Sequence, residues 1–250
     1  MNADDRLICN RIMEAADNCY NRDIPVETDF FDLHKQTLFC SIIKDLPPVS
    51  YKVMGGYDLA ERKLIQFLPY EDYPAITPYT VIRITPAQAK FSEKLTHRDY
   101  LGAILNLGIV RDKIGDIVIN EDSVLLFCTN KIADFLMQNI VKIRNTIVRT
   151  EIIDVNDFEY SPRFEEIKGT VASIRLDSVI ALGFNSSRSH IISYIEEGKV
   201  AVNGKIITSN AYSIKEMDVI SVRGLGKIRF INEIAGTKKG RLFVLIHKYI

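Results

Sequence analysis

The chain has 250 residues, of which 47% are hydrophobic and 26% are charged, and its acidic and basic side chains balance to a net charge of zero. These proportions are typical of a globular protein with room for two or three small cores. No apolar run of about 18 residues or more is present, and the polar start Met1–Arg6 differs from a signal peptide, so we expect a cytoplasmic protein without a membrane span. The four cysteines lack C-x-x-C spacing, which argues against a disulfide framework or a zinc site.

The charges are distributed unevenly along the chain. Residues 171–250 contain 12 Lys and Arg against 6 Asp and Glu, a net charge of +6, whereas residues 1–170 contain 20 against 26, a net charge of −6. A basic C-terminal third on an acidic body favours a polyanionic partner for that third. A solvated surface has the same charge signature, so charge alone does not establish nucleic-acid binding.

Residues 1–48 are predicted to form a helical N-terminal region, because apolar side chains recur through it at helical spacing. Pro25 interrupts the pattern, so we expect two helices rather than one. Thr28 or Asp29 is the predicted N-cap of the second helix, which ends at Pro47-Pro48. We interpret the region as a helical cap packed on the following domain.

Residues 49–153 change to shorter apolar runs with strand character. The predicted strands are Val49–Met54, Leu64–Leu68, Tyr79–Ile84, Gly115–Asn120, Ser123–Cys128 and Ile147–Ile153. The predicted helices run from Thr96 to Leu107 and from Asn130 or Lys131 to Val141. The order of strand, helix, hairpin, helix and strand predicts an α+β domain of ferredoxin-like or RRM-like type. Residues 154–170 are charged and are predicted to be a connector to the last domain, residues 171–250.

An RNA-binding RRM stacks bases on the aromatic side chains of a Lys/Arg-Gly-Phe/Tyr-Gly/Ala-Phe strand. None of the strands predicted for residues 49–153 carries that pattern, so we expect Phe127 in the core and no base stacking on this sheet. We expect the domain instead to dock on protein or on the ribosome. The side chains proposed for that docking surface are Arg62, Lys63, His97 and Arg98.

The last domain is predicted to contain two short helices packed on a small sheet, with basic side chains left on one surface. The first helix follows Arg175, a polar turn at residues 185–189 separates it from the second, and Gly198 ends the second. Val200–Lys205 is an alternating strand that runs into an Asn203-Gly204 turn, which is a strong hairpin signal. Further strands are predicted at Val219–Gly224 and Leu242–Ile246.

These landmarks resemble two known patterns. The order Arg175-Leu176-Asp177, Ser187-Arg188-Ser189, Gly198-x-Val200-x-Val202-Asn203-Gly204 and Asp218-x-Ile220-x-Val222-Arg223-Gly224 resembles the S-four (alpha-L) RNA-binding domain. Upstream, the segments similar to the YlmH family of Firmicutes are Gly55-Gly56-Tyr57-x-x-Ala60-Glu61-Arg62-Lys63, Leu95-Thr96-His97-Arg98-Asp99-x-Leu101-Gly102, Gly115-Asp116-Ile117 and Phe127-Cys128. The resemblance covers nearly the whole chain and is weakest before Val49.

The resemblance implies a ribosome-associated RNA-binding protein. Relatives of this kind bind the large ribosomal subunit, its rRNA and peptidyl-tRNA in quality control of stalled translation, and have been linked to cell division. Cationic side chains at helix starts and turns of the last domain would then meet phosphates. The RNA-binding residues predicted on this basis are Arg175, Ser187, Arg188, Lys199, Asn203, Lys205, Arg223, Lys227, Lys238 and Lys239.

Two side chains of that set, Arg175 and Arg188, are predicted to lie on the helix pair that meets structured RNA. We expect reversal of both charges to abolish RNA binding with only about 0.5 kcal/mol of lost stability, as for exposed side chains. The alternative for a single residue is a solvated surface or an ion pair within the domain, such as Arg175 with Asp177.

No set of residues indicates catalysis. His97-Arg98-Asp99 is similar to a kinase catalytic loop, but the other kinase motifs are absent and Asp99 suits a helix start. Ser187 and His190 lack a Gly-x-Ser-x-Gly elbow, and no His, Cys and carboxylate cluster has metal-ligand spacing. We therefore expect a protein without enzymatic activity, metal or cofactor. We also expect it to be a monomer. The alternatives are an RNA-modifying enzyme of the pseudouridine synthase kind and a cell-division scaffold.

Overall fold

The computed structural model describes residues 2–57, 60–88, 93–120, 122–154, 164–236 and 240–249. The chain forms two compact units, Met1–Tyr160 and Ser161–Ile250. Both units combine helices with antiparallel sheets, which confirms the predicted α+β class. Within the described part of the chain, none of the helices has the length and apolar character that a membrane crossing requires.

The N-terminal part of the first unit packs two helices on a small antiparallel sheet, as predicted for the helical cap. Its elements are α1 (Ala3–Arg22), β1 (Val26–Glu27), α2 (Leu33–Ile42), β2 (Ser50–Met54) and β3 (Leu64–Leu68), with the sheet order β1–β3–β2. Asn2 caps α1 by accepting the Asp5 backbone N–H at 2.7 Å, and Asp23 follows its end with a left-handed φ of 55°. The buried side chains between helices and sheet include Ile12, Ala16, Cys19, Phe39, Ile65 and Phe67.

Two local features differ from the predictions for this region. The N-cap of α2 is Asp32, whose carboxylate accepts the Lys35 backbone N–H at 2.9 Å, and not Thr28 or Asp29. The predicted caps lie just after β1, where the Thr28 hydroxyl accepts the Ile65 N–H at 3.0 Å and so continues the pairing with β3. The sheet thus joins strands from both sides of the boundary predicted between residues 48 and 49, and that boundary stays a proposal.

The rest of the first unit is a five-stranded antiparallel sheet with two helices. Its elements are β4 (Tyr79–Pro86), α3 (His97–Asn106), β5 (Ile114–Ile119), β6 (Val124–Thr129), α4 (Asn130–Asn139), β7 (Lys142–Ile143) and β8 (Thr146–Ile153). The strand order is β5–β6–β4–β8–β7. Apart from the short β7, the chain follows the order βαββαβ, with β4 in the centre between β6 and β8. This is the ferredoxin-like arrangement that the order of elements predicts.

Both faces of this sheet are covered near its centre, because successive side chains of a strand point to opposite faces. Ile82 belongs to the core that the strands share with α3 and α4. Val81 and Phe127 face the other way and pack with Phe30 and Leu64 from the N-terminal part. Phe127 is 0% exposed, which confirms its predicted place in the core and excludes base stacking on its ring.

The Gly-Gly-Tyr and Gly-Asp-Ile motifs meet at the carboxylate of Asp116. This carboxylate accepts the Tyr57 hydroxyl at 2.6 Å and the backbone N–H groups of Glu61 at 2.8 Å and Arg62 at 3.1 Å. Burial raises the pKa of Asp116, although the hydrogen bond from Tyr57 acts in the opposite direction. Gly56 has a φ of 94° and leaves the space that the Phe127 ring occupies. The motifs therefore have a packing role.

Arg62 ties the N-terminal part to β5. Its guanidinium donates to the Ile114 carbonyl at 2.9 Å and the Phe30 carbonyl at 2.9 Å, and pairs with Asp112 at 3.2 Å. The Arg62 side chain is only 11% exposed. Arg62 is therefore a structural residue and is removed from the predicted docking surface.

The start of α3 shows what the His97-Arg98-Asp99 triplet does locally. The Asp99 carboxylate accepts the Thr96 backbone N–H at 2.8 Å and the Thr96 hydroxyl at 2.7 Å. These hydrogen bonds lower the pKa of Asp99. Asp99 closes the first turn of the helix, as the helix-start interpretation predicts, and Arg98 is exposed.

The second unit packs two helices on a six-stranded antiparallel sheet. Its elements are β9 (Phe164–Val171), α5 (Leu176–Gly183), α6 (Arg188–Glu196), β10 (Val200–Val202), β11 (Lys205–Ile206), β12 (Val219–Val222), β13 (Gly226–Gly236) and β14 (Leu242–Tyr249), in the sheet order β11–β10–β12–β13–β14–β9. The core includes Val179, Ile180, Ile191, Ile195, Val200, Ile220, Ile228, Phe230, Val244 and Ile246. The predicted helix pair and Asn-Gly hairpin are present, with left-handed φ values of 47° at Asn203 and 79° at Gly204.

The sheet of this unit is larger than the sequence pattern predicts. Residues 164–170, in the second half of the predicted connector, belong to strand β9, which pairs with β14 from Phe164 opposite Tyr249 to Val171 opposite Leu242. β9 lies at the edge of the sheet, where charged side chains are common because one side of the strand faces solvent. The charged sequence of β9 therefore led to the prediction of a connector, although the β9 backbone is hydrogen-bonded to β14.

Candidate nucleic-acid interface

The starts of α5 and α6 meet at one buried carboxylate. Arg175, at the N-cap of α5, donates from Nε to Asp177 Oδ1 at 3.3 Å and from Nη2 to Asp177 Oδ2 at 3.2 Å. Arg188, the first residue of α6, donates from Nη2 to the same Oδ2 at 2.5 Å. The Asp177 side chain is 0% exposed, whereas those of Arg175 and Arg188 are 38% and 52% exposed. A single buried carboxylate thus orients two half-exposed guanidinium groups.

The charge balance of this cluster favours an anionic ligand. Burial acts to raise the pKa of Asp177, but the hydrogen bonds and charges of Arg188 and Arg175 outweigh it, so the pKa lies below its ordinary value. Asp177 is therefore ionised at neutral pH and offsets one of the two positive charges. The remaining positive charge is spread over planar groups whose geometry suits a phosphate.

Ser187 has a defined structural role beside this cluster. Its hydroxyl accepts the His190 backbone N–H at 3.3 Å and caps α6. The His190 ring contacts the Ser186 hydroxyl at 3.2 Å and packs edge-on against Tyr194. The Ser187 side chain is therefore used to stabilise the start of α6. Its predicted role in RNA binding is limited to holding that helix start in place.

A second cationic group lies at the other end of α6. The Arg223 backbone N–H donates to the Lys199 carbonyl at 2.9 Å, which brings the two residues together. The Lys199 ammonium pairs with Glu197, which raises the pKa of Lys199, and it stands 5.2 Å from the centre of the Tyr194 ring. Because α6 has 9 residues, this group is roughly 13 Å from Arg188 along the helix axis.

The hairpin between β10 and β11 contributes one cation and a shaped backbone. Asn203 uses both side-chain atoms inside the fold, donating to Asp218 at 2.8 Å and accepting the Val219 N–H at 2.9 Å. Its predicted RNA contact is therefore limited to the backbone of the turn. Lys205 is exposed just after that turn.

Lys227 lies on the opposite face of the sheet from α5 and α6. Ile228 and Phe230 belong to the core shared with the helices, so the alternating Lys227 and Arg229 point away from it. Both cations stand over the ring of Tyr249, each 5.7 Å from its centre. The single basic surface predicted for this domain is therefore divided between two faces. Two more predicted residues, Lys238 and Lys239, lie outside the described residues.

The described residues contain no group of three or more His, Cys, Asp or Glu side chains that is arranged to hold a metal ion.

Similarity to known proteins places the chain in a family. The domain model described as "Putative RNA-binding domain in YlmH" matches residues 79–157, and the S4 domain model matches residues 174–220. The "Ribosome-associated protein quality control protein P2" of Bacillus subtilis (strain 168) is 32% identical over 215 residues, which cover 86% of this chain and 83% of that protein. The chain belongs to the YlmH family.

Two further similarities concern parts of this YlmH-family chain. The solved structure of "Cell division protein ylmH from Streptococcus pneumoniae" has a TM-score of 0.50 and 21% identity, and it covers 63% of this chain and 95% of its own. That likeness shows a shared fold. The "Small ribosomal subunit protein uS4" of Kosmotoga olearia is 34% identical over 77 residues, 29% of this chain and 37% of that protein. The S4 match confirms the predicted alpha-L domain and contains the Arg175–Asp177–Arg188 cluster.

Three features of the candidate interface were absent from the sequence prediction. The first is that Asp177 binds Arg188 as well as Arg175, and the second is the Tyr194 ring beside Lys199. The third is the pairing of Lys227 with Tyr249. The alternation of Lys227, Ile228, Arg229 and Phe230 could have predicted part of the third feature. In a strand it places the two cations on the face opposite the two apolar residues.

Proposed function

We propose that this YlmH-family protein binds rRNA of the large ribosomal subunit and tRNA through its S4 domain, in ribosome-associated quality control of stalled translation. We propose further that it acts in the cytoplasm as a monomer, without a cofactor and without enzymatic activity. The observation that carries the proposal is the pair of half-exposed arginines held by the buried Asp177. The S4 match and the name of the Bacillus subtilis relative support the RNA and ribosome parts of it.

Preorganisation is the physical reason why this cluster suits RNA. Arg175 and Arg188 are already held by Asp177, so little side-chain freedom is lost when a phosphate binds to them. Lys199 and Arg223 lie at the far end of α6, roughly 13 Å along the helix axis, so the two cationic groups can meet different phosphates of one RNA. The net charge of +6 on residues 171–250 favours approach of this unit to a polyanion.

Sedimentation of purified protein with large ribosomal subunits tests the proposal. We expect wild-type protein to travel with the subunit at low salt and to be released as salt rises, because each phosphate contact displaces counterions. Arg188→Gln should be released from the subunit at lower salt than wild type, whereas Lys215→Gln removes an exposed charge outside the predicted site and should not. Wild-type protein that stays at the top at low salt contradicts the ribosome assignment, and salt-insensitive association indicates protein docking.

The proposed absence of enzymatic activity has its own test. Mass spectrometry of rRNA and tRNA from a deletion strain should show every modification that the parent strain has. A missing pseudouridine or methyl group that returns with the gene would instead support the RNA-modifying alternative.

A further inference from the structure

The face of the six-stranded sheet that points away from α5 and α6 carries aromatic and cationic side chains on three adjacent strands. Phe164 of β9 stacks on His247 of β14, with ring centres 4.1 Å apart and planes inclined by 13°. Lys227 and Arg229 of β13 stand over the ring of Tyr249, each 5.7 Å from its centre. The register connects the two groups, because Phe164 is opposite Tyr249 and His247 is opposite Arg229. We call these five residues the outer sheet face.

The outer sheet face is partly exposed and, among the described residues, has two polar atoms without a hydrogen-bond partner. Phe164 is 39% exposed. Arg229 Nε and His247 Nε2 have no hydrogen-bond partner among the described residues, although both atoms are buried. Glu166 Oε1 lies 3.6 Å from His247 Nε2, which is beyond hydrogen-bond distance. Buried polar atoms in folded proteins are nearly always hydrogen-bonded, so these two atoms leave hydrogen-bonding capacity unused beside the aromatic rings.

The charge of this face selects among ligands. Lys168 lies on the same side of β9 as Glu166 and pairs with its carboxylate at 3.1 Å, so these two charges offset each other and the positive charge of the face comes from Lys227 and Arg229. Cations that surround exposed rings do not suit an apolar protein segment, which gains nothing from them. They suit a polyanion whose planar groups stack on the rings.

We propose that the outer sheet face binds unpaired nucleotides of single-stranded RNA, which rests on the proposed RNA-binding function and adds a second surface to it. Bases stack on the Phe164–His247 pair, and the phosphates meet Lys227 and Arg229. Aromatic side chains on neighbouring strands with cations beside them are the arrangement by which sheets bind single strands. The helices α5 and α6 remain the surface for structured RNA.

A fluorescence experiment tests the stacking directly. The chain contains no tryptophan, so Phe164→Trp introduces the only indole of the full-length protein, which can be excited selectively over its 11 tyrosines. Titration with a short oligouridylate should quench this fluorescence, because a stacked base contacts the indole ring. Tyr20→Trp is the matched control, since Tyr20 is an exposed aromatic residue of α1 in the first unit, and its fluorescence should not change.

Affinities for two RNA probes separate this inference from the proposed function. By fluorescence anisotropy, Phe164→Ala should bind the oligouridylate about 5- to 100-fold more weakly, while Phe164→Tyr, which keeps a ring, should bind as wild type does. Phe164→Ala should bind a structured rRNA hairpin with unchanged affinity, and circular dichroism checks that each variant is folded.

Each outcome has a defined meaning. Oligouridylate binding without quenching of Phe164→Trp, or undiminished binding by folded Phe164→Ala, overturns the outer sheet face. Hairpin binding without any oligouridylate binding also overturns it and leaves the proposed function intact. A wild-type protein that binds neither RNA contradicts the proposed function itself.

Discussion

Arg188 and Asp177 are eleven residues apart, and the 2.5 Å contact between Arg188 Nη2 and Asp177 Oδ2 joins the starts of two successive helices. Arg175 donates to the same carboxylate from the N-cap of the first helix. The cations that we assign to RNA binding are therefore part of the fold as well. Changes at these positions alter stability and binding together, and experiments have to separate the two.

Asp177→Asn should destabilise the second unit in a pH-dependent way. The pKa of Asp177 is depressed in the folded state. Its contribution to the free energy of unfolding is therefore present above the unfolded pKa of about 3.9 and is lost as pH falls through the folded pKa. We expect a loss of about 1–3 kcal/mol at pH 7, because both arginines lose charge-assisted bonds but remain partly solvated. Urea unfolding of both proteins at pH 7 and at a pH below the folded pKa measures this. An equal difference at the two pH values would show that the carboxylate charge has no role.

Reversal of both arginine charges should unfold the S4 domain rather than only abolish binding. Arg175→Glu with Arg188→Glu places two new carboxylates beside a buried one, and loss of compensation for a buried charge costs about 3–5 kcal/mol. The predicted loss of about 3–5 kcal/mol in stability replaces the loss of about 0.5 kcal/mol expected from the sequence for the same double substitution. Single Arg→Gln changes leave one arginine on Asp177 and should cost about 1 kcal/mol each. Thermal unfolding of the singles and of the double Gln variant should show a loss larger than the sum, and additivity would exclude the shared carboxylate.

The fold was predictable where a segment is long and its period is unambiguous. The order of strands and helices between β4 and β8 was enough to predict a ferredoxin-like domain. Strands β1 and β9 were missed for a physical reason: each pairs with a strand distant in sequence, β3 and β14, so local pattern carries little of what stabilises them. The charged residues Glu165 and Glu166 of β9 indicate a connector unless that pairing is known.

The sequence predicted the residue types of the candidate site but not their arrangement. Arg175 and Arg188 were predicted from landmarks that resemble a known domain, and their sharing of Asp177 depends on burial that only the packed helices define. Arg62 shows the opposite error, because a cation counted as surface makes three contacts inside the fold. A sequence pattern identifies a cation, and the packing around it decides whether the charge is available.

Gly56→Ala should destabilise the first unit. A Cβ at this position lies 2.2 Å from Cε1 of Phe127, and φ is 94°, so a side chain clashes and strains the backbone. We expect a loss of more than about 2 kcal/mol. Gly102→Ala is the control, because beyond its chain neighbours and the nearby backbone of α3 no described heavy atom lies within 4 Å of its Cβ position. Alanine inside α3 should stabilise the unit by about 0.5–1 kcal/mol. Hydrogen exchange of peptides from residues 79–154 measures both, and equal exchange in the two variants would contradict the packing of Gly56 on Phe127.

Tyr57→Phe should weaken the same unit, and more at pH 7 than at pH 4. Tyr57 donates a hydrogen bond to Asp116, and burial raises the pKa of Asp116 in the folded state. Ionisation of Asp116 therefore lowers the free energy of unfolding as pH rises from the unfolded pKa towards the folded pKa. Removal of a hydrogen bond to the ionised carboxylate should cost about 1–2 kcal/mol at pH 7. Tyr51→Phe is the control, since the Tyr51 ring packs on Phe39 and is 39% exposed. The prediction fails if hydrogen exchange of peptides around β5 is the same for both variants.

The last prediction concerns the salt dependence of RNA binding by the helix pair. If Arg188 meets a phosphate, Arg188→Gln removes one ionic contact, and the slope of log affinity against log salt concentration should fall by about 0.7–0.9. Lys215→Gln removes the same charge from an exposed position of the same unit, so general electrostatic attraction changes equally in both variants. Affinities of a structured rRNA hairpin, measured across a salt series, should therefore show a reduced slope for Arg188→Gln and the wild-type slope for Lys215→Gln. Identical slopes in the two variants would mean that Arg188 acts only through Asp177 and the fold. The phosphate contacts would then have to come from Lys199 and Arg223 at the other end of α6 and from Lys205 in the hairpin.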